Sequence, residues 1–378
     1  MRIGLLCNEY PPRKHGGIGT FCADFARGLQ ASGHEPHIIE VQDSAFEHKS
    51  AVPVHTLHRY AGRRGNALIS RLLFARSLAR LQKKLRLDVL EVPDFGGWLP
   101  FSRPTGLRTV VRLHTSTTLI APYGEHPVRR SIRSFERNTL RRADLWIAPS
   151  QHVLSETSKA FRLPGTNNRV IYNPIPLDPN TNNHAPTSSP LSNTRYLLFA
   201  GWVGRAKGAF ALAEALPAVF ATNPELHCVF LGSPTTAAGR PATELIREIV
   251  GPEHGARIHF PGHVSRSEVE VWMKHAELFV LPSYFESFGL VYFEALAAGL
   301  PVIASSRSVE PELFSEVPGV ELVDPDAPTQ ISEAISRILS DRDSYVRSVH
   351  ASSKNFQQKF SLDRCIEESL SAYRDLLK

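Results

Sequence analysis

Short runs of Val, Ile, Leu and Phe alternate with longer amphipathic stretches along this chain, and the alternation occurs twice. "RIGLLC", "PHIIEV", "DVLEV", "TVVRLH" and "LWIAPS" make the first series. "RYLLFAG", "HCVFLG", "RIHFPG", "LFVLPS" and "PVIAS" make the second. Continuous apolar runs between helix-like segments are the pattern of strands buried on both faces of a parallel sheet. Between the series lies "NPIPLDPNTNNHAPTSSPLSNT", rich in Pro, Asn, Ser and Thr and without apolar periodicity, which is linker composition. The chain therefore reads as two doubly wound, Rossmann-like α/β domains, residues 1–175 and 195–359, with a linker at 176–194. Ligands of such sheets sit beyond the carboxyl ends of the strands, so two facing sheets predict an interdomain cleft. The last segment, "SLDRCIEESLSAYRDLLK", opens on a Ser cap and reads as an amphipathic helix.

Composition adds little. Of 378 residues, 42% are hydrophobic and 21% charged, an ordinary globular balance. No apolar run approaches the roughly 18 residues needed to span a bilayer. The opening "MRIGLLCNEYPP" lacks a signal-peptide core. Cys7, Cys22, Cys228 and Cys365 are scattered without paired spacing, which gives no metal framework and points to a reducing, cytoplasmic setting. Charge changes the picture more. Residues 1–178 hold 26 Lys+Arg and 14 Asp+Glu, or +12, leaving 17 of the 43 basic and 23 of the 37 acidic residues, or −6, for the remainder. A basic half attracts an anionic partner.

Three stretches carry candidate chemistry. "HGGIGTF" follows the first strand and opens a helix; Gly16 and Gly17 lack Cβ atoms, so backbone N–H groups can approach an anion. It is neither GxGxxG nor a P-loop, and it reads equally as a tight turn. In "FAGWVGRAKGAFALAEAL", Arg205 and Lys207 stand at the mouth of a helix, where dipole, amides and cations together suit a diphosphate. A solvated basic loop is the alternative there. In "PSYFESFGLVYFEALAAGLPVIAS", a strand ends near Pro282, Glu286 lies in a loop, and a helix is expected from Phe288 or Gly289 with Glu294 inside it. Two acids flanking free amides fit the two ends of a nucleotide sugar. Each acid taken alone also reads as surface.

These stretches resemble the signature of the retaining glycosyltransferases of family 4, which have the GT-B fold. The block from Pro282 to Ser305 looks like the family's "PSxxExFGLxxxEAxAxGxPVIA", and "YPPRKHGGIG" is similar to its N-terminal glycine loop. The hinge motif, usually Asn-Gly-Ile, is resembled by "VIYNPI". The final helix, residues 360–378, resembles the one that returns to the first domain. The resemblance implies a nucleotide-diphospho-sugar donor bound by the second domain and a sugar or lipid-linked acceptor bound by the first. It places Glu286 beside the donor sugar, Glu294 on the ribose, Lys207 on the phosphates, and Ser287 with the amides of Phe288, Gly289 and Leu290 around the diphosphate. Gly17 belongs to the donor set, and His114, after "TVVRLH", faces the donor sugar. No metal or other cofactor is implied. A "DPD" run at Asp324–Asp326 matches a DxD metal signature. Two departures stand out: the family's phosphate-binding arginine falls at Trp202, so Arg205 is expected to replace it, and Ser308 and Val309 stand where Gly-Gly is usual.

"HPVRRSIRSFERNTLRRADL" places Arg130, Arg133, Arg137 and Arg141 at helical spacing, and Arg76, Arg80, Lys83 and Lys84 form a second basic run. Both read as solvated faces or as contacts for an anionic acceptor or an anionic membrane on the cytoplasmic side. No nucleic-acid module is evident. A GT-B nucleotide-sugar epimerase and a non-catalytic nucleotide-sugar-binding scaffold are the competing functions.

Overall fold

The computed structural model describes residues 1–12, 17–42, 50–58, 67–99, 106–124, 127–163, 167–175, 191 and 194–378. His15 and Gly16 of the glycine loop, and nearly all of the expected linker at 176–194, lie outside the described residues. The chain forms two units. One comprises Met1–Leu119, Val128–Pro174 and Phe360–Lys378; the other comprises Ile120–Pro127 and Ile175–Lys359.

In the first unit the elements are, in chain order, β1 (Arg2–Leu6), α1 (Gly17–Ala31), β2 (Glu35–Gln42), β3 (Val54–His58), α2 (Ala67–Leu85), β4 (Val89–Pro93), β5 (Arg108–Arg112), α3 (Thr117–Ile120), α4 (Arg130–Arg142), β6 (Leu145–Ala148), α5 (Gln151–Phe161) and β7 (Asn168–Val170). The strands pair in the order β3-β2-β1-β4-β5-β6-β7, all parallel. Every residue of β4 and β6 is buried, as a strand covered on both faces requires.

The second unit contributes β8 (Arg195–Ala200), α6 (Ala209–Thr222), β9 (Leu226–Leu231), the short hairpin β10 (Thr236–Ala237) and β11 (Arg240–Pro241), α7 (Ala242–Val250), β12 (Ile258–Gly262), α8 (Arg266–His275), β13 (Leu278–Leu281), α9 (Leu290–Ala297), β14 (Val302–Ser305), α10 (Glu310–Phe314), β15 (Val320–Val323), α11 (Pro328–Ser340) and α12 (Arg342–Lys359). Its six-stranded sheet runs β12-β9-β8-β13-β14-β15, again parallel. The last helix, α13 (Leu362–Leu377), is capped by the Ser361 hydroxyl, which accepts from the Arg364 amide. Its Cys365, Ile366, Leu370 and Tyr373 join the core of the first unit beside Phe21, Phe25 and Leu29 of α1.

In both sheets the winding reverses once: between β1 and β4 in the first, between β8 and β13 in the second. Loops at the carboxyl ends of strands flanking such a reversal diverge and leave a crevice for a ligand. Among the described residues no helix is long and apolar enough to cross a membrane.

Candidate active site

The crevice of the second unit is built by the loops after β8 and β13. Lys207 stands in a single 3₁₀ turn, Arg205–Lys207, closed by Gly208 at φ +75°. A Cβ on Gly208 would lie 1.9 Å from the Pro282 carbonyl oxygen, so only glycine lets the two loops touch. That contact brings the Lys207 ammonium into an ion pair with the Glu286 carboxylate. Glu286 is buried, and the Ser308 hydroxyl fixes its backbone in both directions. The Glu286 amide donates to Ser308 Oγ at 2.6 Å, and that hydroxyl donates to the Glu286 carbonyl at 3.2 Å. Ser308, one of the two departures from the glycine pair, thus holds the acid in place.

Helix α9 begins at Leu290, slightly later than the sequence suggests. Gly289 is its N-cap, in the left-handed region at φ +72° and ψ 54°. Phe288 packs its ring on Phe293 at 5.2 Å and is nearly inaccessible, whereas Ser287 is half-buried. The amides at this helix start have no intrahelical acceptor. One turn on, Glu294 pairs with Arg266 Nη2 at 3.2 Å. Burial raises the Glu294 carboxyl above its usual range, and Arg266 opposes that shift. Arg266, at the start of α8, was not anticipated.

Arg205 has other partners. It is exposed, and its guanidinium lies 5.9 Å from the Tyr284 ring centre. With Tyr284, Phe210, Glu214 and Asp326 it lines a cavity of about 460 Å³. Trp202 is 70% exposed and makes no such approach. In the "DPD" run, Arg307 pairs with Asp324 at 2.7 Å and with Asp326, and Tyr284 Oη donates to Asp326 at 2.6 Å.

In the first unit, His114 follows β5. Its amide donates to the buried Asp94, after β4, at 2.9 Å, and its ring meets Phe21 edge-on at 5.2 Å. Burial and the Arg112 charge push the imidazole down to about 3, so it is neutral throughout the physiological range. The next residue, Thr115, holds φ +114°, a strained value for a side chain branched at Cβ. Asp94, accepting from the amides of His114 and Thr115, sustains that bend. Burial and nearby Glu136 push the Asp94 carboxyl up to about 7. Glu136 accepts from the amides of Gly96, Thr117 and Thr118. Gly17 opens α1, where Glu9 Oε1 accepts from the Gly19 amide at 3.0 Å, and among the described residues a Cβ on Gly17 would meet nothing within 4 Å. Sequence reading missed Asp94, Glu136 and Glu9; a "PDFGG" turn directly after an apolar run was the available signal for Asp94.

Two parallel α/β units with these loops define the GT-B architecture. The Anabaena protein HepE, solved in complex with UDP-glucose, superposes with TM-score 0.73 at 19% identity, over 98% of this chain and all of that one. The chain belongs to the group 1 and family 4 glycosyltransferases: the model "Glycosyl transferases group 1" matches residues 182–355 and "Glycosyltransferase Family 4" matches residues 15–179. Among curated relatives it is 26% identical to an uncharacterized glycosyltransferase of Methanocaldococcus jannaschii, over 99% of this chain and 98% of that protein. It is also 26% identical to a GDP-mannose-dependent alpha-(1-6)-phosphatidylinositol monomannoside mannosyltransferase of Mycobacterium tuberculosis, over 90% of each.

Proposed function

We propose that the chain is a retaining glycosyltransferase that moves a sugar from a nucleotide-diphospho-sugar to a sugar or lipid-linked acceptor without a metal ion. The observation that carries this reading is the Lys207–Glu286 pair at the β8/β13 reversal, beside the left-handed Gly289 that opens α9. When the sugar leaves, negative charge develops on the β-phosphate. Lys207 and the amides of Phe288, Gly289 and Leu290 oppose that charge, and each such preorganised donor is worth roughly 3–4 kcal/mol. Glu294 takes the ribose hydroxyls and Glu286 the donor-sugar side. His114, a neutral imidazole, serves as a hydrogen-bonding group rather than a cation. Arg205 stands in for the arginine missing at Trp202. The UDP-glucose complex of HepE supports a nucleotide-sugar donor.

Two further observations support the finer parts. Arg307 pairs with both Asp324 and Asp326 and offsets one of their two charges, which favours a metal-free reaction. Glu286 is engaged by Lys207 rather than poised as a nucleophile, which favours departure and attack on one face over a glycosyl–enzyme intermediate. A panel of UDP-, GDP-, ADP- and dTDP-sugars, assayed in EDTA with the product anomer read by NMR, tests the reading. Transfer with retained configuration is expected. An inverted product, a manganese requirement, epimerised donor without acceptor, or binding without turnover would contradict it.

The acceptor is proposed to reach the enzyme from an anionic membrane. On α2, exposed Ile69, Leu72 and Leu73 continue into exposed Arg76, Arg80, Lys83 and Lys84, spaced to share one helical stripe. The basic run on α4 is partly occupied: Arg133 and Arg137 donate to the Ala160 and Phe161 carbonyls at the end of α5. The Mycobacterium tuberculosis relative is named for a phosphatidylinositol mannoside, a lipid acceptor. Flotation with phosphatidylglycerol vesicles should show binding that weakens with salt and is lost in an Arg76→Glu/Arg80→Glu/Lys83→Glu variant. Equal binding to neutral phosphatidylcholine would contradict this surface.

A further inference from the structure

Beneath the Lys207–Glu286 pair lies a third ionisable group that the proposed mechanism does not use. Glu310, the first residue of α10, is fully buried. Its Oε1 lies 2.8 Å from Tyr292 Oη, and Tyr292 Oη lies 2.7 Å from the Leu281 carbonyl at the end of β13. Its Oε2 is buried and unpartnered among the described residues. A phenol has one proton, and two acceptors compete for it here. The Leu281 carbonyl accepts only. The arrangement is satisfied when the Glu310 carboxyl carries the second proton, donates it to Tyr292 Oη, and lets Tyr292 donate to Leu281. An ionised Glu310 would leave a buried charge with one bare oxygen and two acceptors facing each other.

From this geometry we infer that Glu310 is a protonated positioning residue: it locks Tyr292 to the end of β13 and, by remaining neutral, leaves Lys207 to balance Glu286 alone. The groups facing it are Tyr292 from α9, Glu286 from the loop after β13, and Lys207 from the loop after β8. Burial, then Glu286, push the Glu310 carboxyl up to about 8, while its own backbone amide, Tyr292 and Lys207 oppose the shift. Glu310 is therefore neutral below that pH. Above it, a second negative charge would compete with Glu286 for Lys207, the cation assigned to the diphosphate. This inference rests on the proposed use of Lys207, but the protonation of Glu310 stands apart from it.

The test follows both carboxyls by ¹³C NMR of glutamate-labelled protein, with resonances assigned by their loss in Glu310→Gln and Glu286→Gln. Glu310 should titrate near pH 8, and Glu286 should show a matching step that is absent in Glu310→Gln. An amide can donate to Tyr292 as the acid does, so Glu310→Gln should keep donor turnover near the wild-type level at pH 7. The wild-type kcat/KM should fall as pH rises above 8, by up to about tenfold per pH unit for one proton per site, and Glu310→Gln should not. A Glu310 resonance already ionised at pH 6, no matching step at Glu286, or an alkaline limb kept in Glu310→Gln would each overturn the inference. If the wild type turned over no donor at any pH, the nucleotide-sugar reading would fail, while the two NMR titrations would still decide the state and coupling of Glu310.

Discussion

Replacing Lys207 with alanine is expected to lower kcat/KM for the nucleotide sugar by about 10²–10³-fold, the cost of removing one preorganised donor from a developing oxyanion. Two effects act in the same direction. The diphosphate loses its nearest cation, and the buried Glu286 loses its counter-charge. Lys207→Arg should recover part of the loss, because charge returns but the compact ammonium geometry does not. Steady-state kinetics of the three proteins check this. A Lys207→Ala enzyme within threefold of wild type would remove lysine from the donor site.

The second large effect concerns the first unit. Arg112→Met is expected to destabilise that unit by about 3–5 kcal/mol, the usual cost of breaking a buried ion pair from one side. Arg112 on β5 donates through Nε and Nη2 to the two oxygens of Glu91 on β4, at 2.7 and 3.0 Å, and through Nη2 to Ser369 of α13 at 3.1 Å. Tyr373 of α13 donates to the same Glu91. Phe21 and Phe25 of α1 stand within 5 Å of the guanidinium carbon. The cluster therefore ties the last helix of the chain to two central strands of the sheet. Without Arg112, Glu91 stays buried and loses its counter-charge, keeping the Tyr373 hydroxyl as a partner. Replacing both, as Glu91→Leu/Arg112→Met, should recover more than half the loss, since no lone charge remains. Hydrogen exchange of the β4 and β5 amides reads the opening free energy of this unit by itself. A single variant losing under 1 kcal/mol, or a double variant worse than the single, would contradict the assignment.

The residues of that cluster explain what the sequence reveals and what it conceals. "DVLEV" and "TVVRLH" are legible as buried strands because apolar neighbours dominate them, yet the same runs hide Glu91 and Arg112. Nothing local signals that two charges 21 residues apart meet, still less that Ser369 joins them from 257 residues away. Every interior strand of the two large sheets was legible from its apolar run, whereas of their edge strands only β12 was. The sequence reading passed over β3, β7 and β15, which are edge strands: β7 is three residues long with none buried, and β15 buries only Val323. An edge strand faces solvent on one side and so lacks the continuous apolar run that betrays a central one. In the candidate site, Lys207, Glu286 and Gly289 were legible because each sits in a short motif with its own backbone logic. Ser308, Glu310 and Arg266 were not, because their roles come from elements that follow or precede the motif and fold back upon it.

Under the proposed function, the second unit seats a nucleotide diphosphate between the β8 and β13 loops. A crystal structure with bound UDP-glucose tests it most directly. The β-phosphate is expected within hydrogen-bond distance of Lys207 Nζ and of the Gly289 and Leu290 amides, with the ribose on Glu294. Phosphates bound away from Lys207, or held through a divalent ion on Asp324 and Asp326, would contradict it.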